Sequence, residues 1–364
     1  MEEIIIKSSI KNFSVTFVDD FNFINQFIQT DNYIVIVDKN VFSLYKKKLF
    51  EKLPKEKVIV ILFQEKTKTL DTVNKIYEKL LHLTAKKNLT ILAFGGGITQ
   101  DVVGFVASTL YRGIRWIYIP TTLLAMADSA IGLKTSLNFK QYKNVLGTFY
   151  PPTKVFININ FLKTLPKREY YSGIGEIVKF YLMKKSPIDA LEDSIAKINK
   201  LKVGFDKIEM TQIIRESIKI KISYMEGDEF DTGRRNLLNY GHEFGHALEP
   251  SSGFFIPHGI GVIIGMIFAN CVSLNRGYIN KDLFKRINLL LLIPNIPQDI
   301  VKLKNEHFIE KILFENMKKD KKRTTDDLVL ILPKDNFSLD KIQDLGYTEF
   351  SKNLKLLKDV LGLI

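Results

Sequence analysis

The chain carries five histidines, and three of them, His242, His246 and His258, fall within 17 residues. His242 and His246 are four residues apart, so on a helix they share one face. His258 follows Pro257, at what reads as the start of another helix. Imidazole is the commonest protein metal ligand and titrates near neutral pH, so this concentration points to a metal or catalytic cluster. His242-Glu243-Phe244-Gly245-His246 matches the HExxH pattern of zinc peptidases. Its extensions fail, because Glu249 and Ser252 stand where a further Gly and His are needed. The next apolar run, 259–275, holds no acidic residue. A carboxylate must then come from elsewhere, and Glu176 in SGIGEIVKF is the best candidate. It reads as lying at a glycine-flanked helix start among Ile174, Ile177 and Val178, with Lys179 three residues on as its charge partner. A His/His/Glu set with an open fourth position is the catalytic zinc pattern, and cobalt or iron also suit it.

Two further segments could bind an anionic ligand. AFGGGITQDVVGF (93–105) joins a strand-like run to a helical one. Its glycines allow close backbone approach, and the free amides of the next helix suit a pyrophosphate. Gly95, Gly97 and Gln100 occupy the GxGxxG positions, so a tight structural turn remains the alternative. Asp101 falls one turn into that helix. The run from Pro120 sets Thr121, Thr122, Asp128, Lys134, Asn138, Lys143 and Asn144 among Leu123, Leu124, Ala125, Ala127, Ile131, Leu137 and Val145. Those apolar residues predict partial burial. A buried lysine or aspartate needs a partner or a ligand, and lysines suit phosphate as point charges.

The elements that must position these residues change character along the chain. YIVIVD (33–38), VIVILF (58–63), LTILAFGGG (89–97) and RWIYIP (115–120) read as strands. The helical pattern 69–88 between them places Leu70, Val73, Ile76, Leu80 and Leu81 on one face. Such alternation predicts a parallel sheet with helices on both faces. From about residue 165 helical patterns take over, at 170–184, 188–200, 208–225, 234–249, 259–275 and 281–293. The reading is an α/β domain over 1–162 and a mostly α-helical domain over 163–364, with the cleft between them as the default ligand site.

Composition narrows the class. With 364 residues, 46% hydrophobic and 26% charged, the chain is an ordinary globular protein with an ample core. Its one cysteine, Cys271, excludes an intrachain disulfide and a cysteine-based zinc site, and fits a reducing, cytoplasmic setting. No signal peptide is legible at the N-terminus. The longest apolar stretch, Gly259 to Leu274, is short for a membrane span and reads as a buried core helix. The net charge of +13 suits an anionic small substrate or nucleic acid. The lysines are dispersed, and KKK (46–48) and KKDKK (318–322) lack interleaved aromatics, so a solvated surface is the reading and neither nucleic acid nor membrane is an expected partner.

Taken together, GGGITQDVVGF, YRGIRWIYIPTTLLAMADSAIGLKTSLN, KNVLGTFYPP, FLKTLP, SGIGEIVK, GRRNLLNYGHEFGHALE, PHG and DKK resemble the 3-dehydroquinate synthase family of sugar-phosphate cyclases, in order and nearly in spacing, from about residue 64 to 332. The resemblance implies an N-terminal nucleotide-binding domain, a helical metal domain, and NAD in the cleft. It implies NAD contacts at Glu65, Lys68, Gly96, Gly97, Ile98, Thr99, Gln100, Asp101, Thr121, Thr122, Asp128, Lys134, Lys143, Phe161, Leu162, Lys163 and Thr164. Glu176, His242 and His258 match the zinc ligands, and His246 then lies in the pocket instead. Asp128, Lys134, Lys179, Lys221, Arg235, Asn239, His246 and a lysine of the 321–322 pair match the substrate pocket. Arg112 would reach the partner subunit's substrate, which implies a homodimer.

The family reaction converts a phosphorylated seven-carbon keto acid, 3-deoxy-D-arabino-heptulosonate 7-phosphate, to 3-dehydroquinate and phosphate. It proceeds by transient oxidation by NAD, elimination, reduction and ring closure, so the cofactor is regenerated. The guanidinium of Arg235 suits the substrate carboxylate. This chain departs from the family pattern at Gln100 and Leu133, where glycines are usual, at Ile260, where an acid is usual, and at Phe63-Gln64-Glu65. These changes leave open a cyclase acting on another sugar phosphate, such as sedoheptulose 7-phosphate. A metal-dependent alcohol or polyol dehydrogenase of the same architecture is the other rival.

Overall fold

β-Branched, apolar runs build the sheet of the first unit. The computed structural model describes residues 3–29, 32–82, 87–140, 142–184, 188–203, 206–318 and 327–363. Its contacts divide the chain into Met1–Leu165 and Pro166–Ile364. In the first unit, β1 (Glu3–Ile6), β2 (Phe13–Phe17), β3 (Tyr33–Asp38), β4 (Val58–Ile61), β5 (Thr90–Gly95), β6 (Arg115–Pro120) and β9 (Lys154–Ile157) form one sheet in the order β1-β2-β9-β6-β5-β3-β4. Every pair is parallel except β1 with β2. The central strands are buried on both faces, from Val35 to Val37, Ile91 to Phe94 and Trp116 to Ile119, as a helix-covered parallel sheet requires.

The helices of this unit are α1 (Asn25–Ile28), α2 (Lys39–Tyr45), α3 (Leu70–His82), α4 (Gly97–Thr109) and α5 (Leu123–Ala127). On α3 the expected stripe narrows. Val73, Ile76 and Leu80 are buried, but Leu70 and Leu81 are exposed, because they lie at the two ends of the helix, beyond the sheet-facing stripe. After β4 the chain returns past β3 to lay down β5 and β6 on the other side. The carboxyl ends of β3 and β5 therefore flank a topological switch point, where open α/β sheets bind ligands.

The polar run after β6 is only partly helical. It continues as a separate antiparallel hairpin, β7 (Lys134–Phe139) with β8 (Tyr142–Phe149), that packs on α4. Leu137 is buried as expected, whereas Lys134 and Val145 are exposed. Alternation along the hairpin leaves one face to solvent, so the burial expected for Lys134 does not hold. The 3-10 turn Ile159–Thr164 belongs to the first unit. Asn158 Nδ2 donates to Asp20 O at 2.7 Å, Asn160 Nδ2 to Asp19 O at 2.8 Å, and Tyr45 Oη meets Thr164 Oγ1 at 2.8 Å.

The second unit comprises α6 (Lys167–Met183), α7 (Leu191–Val203), α8 (Lys207–Met225), α9 (His242–Ser251), α10 (His258–Asn275), α11 (Lys281–Ile287), α12 (Glu310–Lys318) and α13 (Tyr347–Val360), with a hairpin of β10 (Leu328–Pro333) and β11 (Leu339–Leu345). The expected helix 234–249 is two elements. Arg234–Asn239 is a 3-10 turn, Gly241 takes a left-handed φ of 81°, and α9 begins at His242. The expected helix 281–293 ends at Ile287 and continues as a π turn over Asn288–Leu292, before Pro294.

α10 is the hub, packed on α6, α9, α13 and β10. By length and hydropathy it could cross a membrane, but 83% of it is buried. Glycine lets the neighbouring helices approach that closely. A Cβ on Gly259 would overlap the carbonyl oxygen of Ser172 in α6, and one on Gly245 of α9 would stand 2.9 Å from the carbonyl oxygen of Gly261. Gly245 thus weakens α9 as a helix while permitting its contact with α10.

Candidate metal centre and nucleotide-binding elements

The close helix contacts bring three side chains to one point. Glu176 sits in the middle of α6 and not at a helix start, since the helix already begins at Lys167. His242 opens α9 and His258 opens α10. Glu176 is fully buried. Its Oε1 lies 3.0 Å from His258 Nε2 and 3.2 Å from His242 Nε2. Its Oε2 lies 2.6 Å from Lys179 Nζ, an ion pair without hydrogen-bond alignment. His246, one turn along α9, is exposed, and its ring centroid is 5.3 Å from that of His242 and 5.5 Å from that of His258. The ligand atoms of the three histidines lie within 4.8 Å of one another.

The far side of each ring shows why the point suits a cation. His258 Nδ1 is 2.8 Å from Glu249 Oε1, so as a neutral ring it donates there. His242 Nδ1 lies 3.4 Å from the Tyr240 carbonyl oxygen, again an acceptor. Both Nε2 lone pairs are then turned toward a carboxylate oxygen. Three electron-pair donors facing one another need a positive centre, and nitrogen and oxygen donors in this number suit a divalent ion. Without one, a proton fills the role. Burial works against charging His258, but hydrogen bonds to Glu176 and Glu249 and their charges outweigh it and carry its pKa to about 10. Burial would raise the Glu176 carboxyl, yet Lys179 and His242 hold it well below the usual range. Burial and the Lys179 charge push the His242 imidazole down.

Other residues singled out from the sequence surround the same helices. Lys179 is buried on α6, with its ammonium 4.6 Å from the Phe180 ring centroid. Lys221 is buried on α8, and Arg235 is buried in the 3-10 turn before α9. Asp228 anchors that turn. Its Oδ1 accepts from Thr232 N at 2.8 Å and Thr232 Oγ1 at 3.0 Å, and its Oδ2 from Gly233 N at 2.8 Å and Arg235 N at 2.7 Å. The Arg235 guanidinium donates through Nη1 to Glu229 O. Asn239 Nδ2 donates to Asn236 O at 2.8 Å. Lys321 and Lys322 lie outside the described residues.

In the first unit the glycine turn leaves β5 and opens α4, with Gly96 as its N-cap and Gly97 and Ile98 as its first residues. Thr121 N donates to Gly95 O at 3.0 Å, and Thr122 caps α5 through Ala125 N at 3.2 Å. The Gln100 side chain grips one residue twice. Its Nε2 donates to Ser129 O and its Oε1 accepts from Ser129 Oγ, both at 2.7 Å. This amide clamp ties the turn to the segment after Asp128, and Thr99 beside it is buried. Leu133 keeps a left-handed φ of 63°, and the burial of its side chain offsets that strain. Ile260 is buried in the α10 core.

A second cluster gathers on the hairpin. Lys68 Nζ is 2.5 Å from both Asp101 Oδ2 and Asn144 Oδ1. Asn138 Nδ2 donates to Glu65 Oε1 at 2.8 Å, and Asn138 Oδ1 accepts from Asn144 N at 2.9 Å. Burial pushes the Asp101 carboxyl up, and the Lys68 charge opposes it. Lys143 is half-buried on β8. Phe161 and Leu162 are buried in the 3-10 turn that also carries Lys163 and Thr164. Arg112 is exposed beside Tyr111, both with left-handed φ, of 63° and 52°.

Comparison with known proteins decides the family. Residues 58–172 match the 3-dehydroquinate synthase N-terminal family model, and residues 173–323 match the C-terminal one. The chain belongs to the 3-dehydroquinate synthase family. It is 36% identical over 363 residues to the 3-dehydroquinate synthase of Dictyoglomus thermophilum, covering 98% of each chain. A solved 2-deoxy-scyllo-inosose synthase, complexed with carbaglucose-6-phosphate, NAD+ and Co2+, superposes with a TM-score of 0.79 at 26% identity and full coverage of both chains. The 2-epi-5-epi-valiolone synthase ValA of Streptomyces hygroscopicus, solved with NAD+ and Zn2+, shares the fold with a TM-score of 0.80 at 23% identity, covering 95% of this chain and 97% of that one. The two-domain cyclase fold expected from the sequence is thus the fold this family member has.

Three residues with structural roles here are absent from the sequence-based site, namely Glu249, Asp228 and Ser129. Glu249 is visible in the sequence only as the residue that breaks the peptidase pattern. Asp228 and Ser129 act on the main chain and on a neighbouring amide, and neither leaves a spacing signature.

Proposed function

We propose that this chain is a 3-dehydroquinate synthase, converting 3-deoxy-D-arabino-heptulosonate 7-phosphate to 3-dehydroquinate and phosphate with NAD and a divalent metal, zinc or cobalt. One observation carries the metal part of the reading: the convergence of Glu176 Oε1, His242 Nε2 and His258 Nε2. When bound, the metal polarises the alcohol oxygen on the carbon that gives up hydride, and NAD takes up and returns that hydride.

The chain's own residues do the rest. Arg235, buried and held by its main chain and its guanidinium, orients the substrate carboxylate. Lys134, Lys179 and Lys221 neutralise the phosphorylated substrate, and Asp128, Asn239 and His246 hold its polar groups. Exposed His246 is suited to exchanging a proton with the leaving phosphate. Lys68, Asp101, Lys143 and Glu65 hold NAD, with the amides of Gly96, Gly97 and Ile98 toward its pyrophosphate. Thr99, Gln100, Thr121, Thr122 and the 161–164 turn complete that site. The same reading makes the enzyme a cytoplasmic homodimer in which Arg112, on its strained surface turn, reaches the partner's substrate.

The test is phosphate release from the keto-acid heptulosonate phosphate and from sedoheptulose 7-phosphate, side by side, with absorbance at the NADH wavelength followed throughout. The expected result is release from the keto acid alone, with no net NADH. Preference for sedoheptulose 7-phosphate moves the chain to a different cyclase. Net NADH accumulation makes it a dehydrogenase.

A further inference from the structure

We propose that Glu249 is a positioning residue for the metal centre, fixing the ring orientation and tautomer of His258 so that Nε2 is presented to the ion. The inference rests on the metal reading above and adds a residue that makes no contact with the ion.

The geometry is specific. Glu249 lies near the end of α9 and His258 at the first residue of α10, so their side chains meet across two different helices. The Oε1–Nδ1 distance is 2.8 Å, the length of a charge-assisted hydrogen bond. The opposite ring nitrogen is the one that faces Glu176, at 3.0 Å. A ring that can donate at Nδ1 keeps its lone pair at Nε2. A carboxylate at Nδ1 also makes that lone pair a stronger donor, which is the way carboxylate–histidine pairs serve metal sites. His242 is handled differently, since its Nδ1 faces the Tyr240 carbonyl at 3.4 Å. One imidazole is therefore set by the main chain and the other by a charged side chain. Only the second can be removed by a single substitution.

Glu249 is largely shielded, its side chain 12% exposed, whereas the His258 side chain is 32% exposed. Without Glu249 the His258 ring is still met by Glu176 at Nε2, but no carboxylate fixes its Nδ1 side. A looser ring orientation and a less defined tautomer both cost metal affinity without removing a ligand.

The experiment measures Zn2+ affinity by competition with a chelator, and the visible spectrum of the Co2+-loaded protein, for the wild type, Glu249→Gln, Glu249→Ala and His258→Ala. Circular dichroism selects folded variants. The expected order is wild type, then Glu249→Gln, which keeps a neutral acceptor, then Glu249→Ala, weakened about 10–100-fold, the usual range for an outer partner of a ligand. Combining Glu249→Ala with His258→Ala should weaken binding no further than His258→Ala alone. Zn2+ affinity of folded Glu249→Ala or Glu249→Gln equal to wild type, with His258→Ala strongly impaired, overturns the role of Glu249 and leaves the metal site standing. Wild-type affinity in His258→Ala as well overturns the metal reading itself. If Glu249→Ala does not fold, the Glu249→Gln comparison decides alone.

Discussion

The two units build their binding groups by opposite means. In the helical unit, Glu176, His242 and His258 come from three separate helices, and their convergence depends on how closely those helices pack. In the α/β unit, the groups at the glycine turn are mostly main-chain amides, and of the charged side chains near them Lys68 is held by Asn144 of a hairpin and Asp101 is held by Lys68. The first arrangement is set by the core. The second is stitched together by local hydrogen bonds and one ion pair. The contrast teaches where damage should be global and where it should be graded.

The largest effect is expected where core and site coincide. Gly259→Ala places a methyl group on the Ser172 carbonyl, so α6 and α10 must move apart and carry Glu176 from His258. We expect a loss of about 3 kcal/mol in denaturant unfolding, the upper end for overpacking, together with weakened Zn2+ binding. A variant that keeps its metal affinity despite the lost stability would break the link between packing and site. Lys68→Met tests the other unit. Removing one partner of a buried pair usually costs about 3–5 kcal/mol. Here Asp101, already pushed toward its protonated form by burial, can take up a proton, so about 2 kcal/mol is expected, with NAD binding weakened about tenfold, the worth of one charge-assisted hydrogen bond. Titration calorimetry with NAD that finds unchanged binding would remove Lys68 from the nucleotide site.

Asp228→Asn should leave Zn2+ and NAD binding unchanged and alter stability alone, in a way that depends on pH. Burial works against its charge, but the amides of Thr232, Arg235 and Gly233 and the Thr232 hydroxyl hold the folded pKa at about 2, below the usual ~3.9. Its stabilising contribution is therefore complete above about pH 4 and is lost as pH falls through 2. Urea unfolding should show a gap between wild type and variant at pH 6 that narrows at pH 3. A gap that widens on acidification would contradict the assignment.

The sheet is legible in the sequence because parallel strands are buried on both faces. Tyr33–Asp38 and Arg115–Pro120 stand out as unbroken apolar runs, and the structure gives them the same limits. The edge strand Glu3–Ile6 and its neighbour Phe13–Phe17, both short, lack that signal. The later hairpin of Leu328–Pro333 and Leu339–Leu345 escapes a reading of the sequence, although its first strand is wholly buried. A short apolar run without a partner in view cannot be told from a helix segment. At the metal site, the spacing of His242 and His246 conveys the helix face. The start of that helix is hidden, because a left-handed glycine looks in sequence like any other glycine. Glu176 is marked by its apolar neighbours, yet the sequence puts it at the wrong point of its helix, since Pro166, and not the later glycines, precedes the first turn. Gln100 reads as a defect of a motif, and only the position of Ser129 reveals it as a clamp.

The hub helix also shapes how this polypeptide must be made. His258–Asn275 is as oily as a bilayer-crossing segment, and one of its covering partners, Tyr347–Val360, is translated roughly 70 residues later, about 4–14 s at ordinary rates of synthesis. For that interval a sticky cylinder waits on the ribosome with one flank bare. Apolar surface bare during synthesis is where a growing chain is most prone to aggregate, so this helix is the segment most exposed to that hazard until its cover arrives.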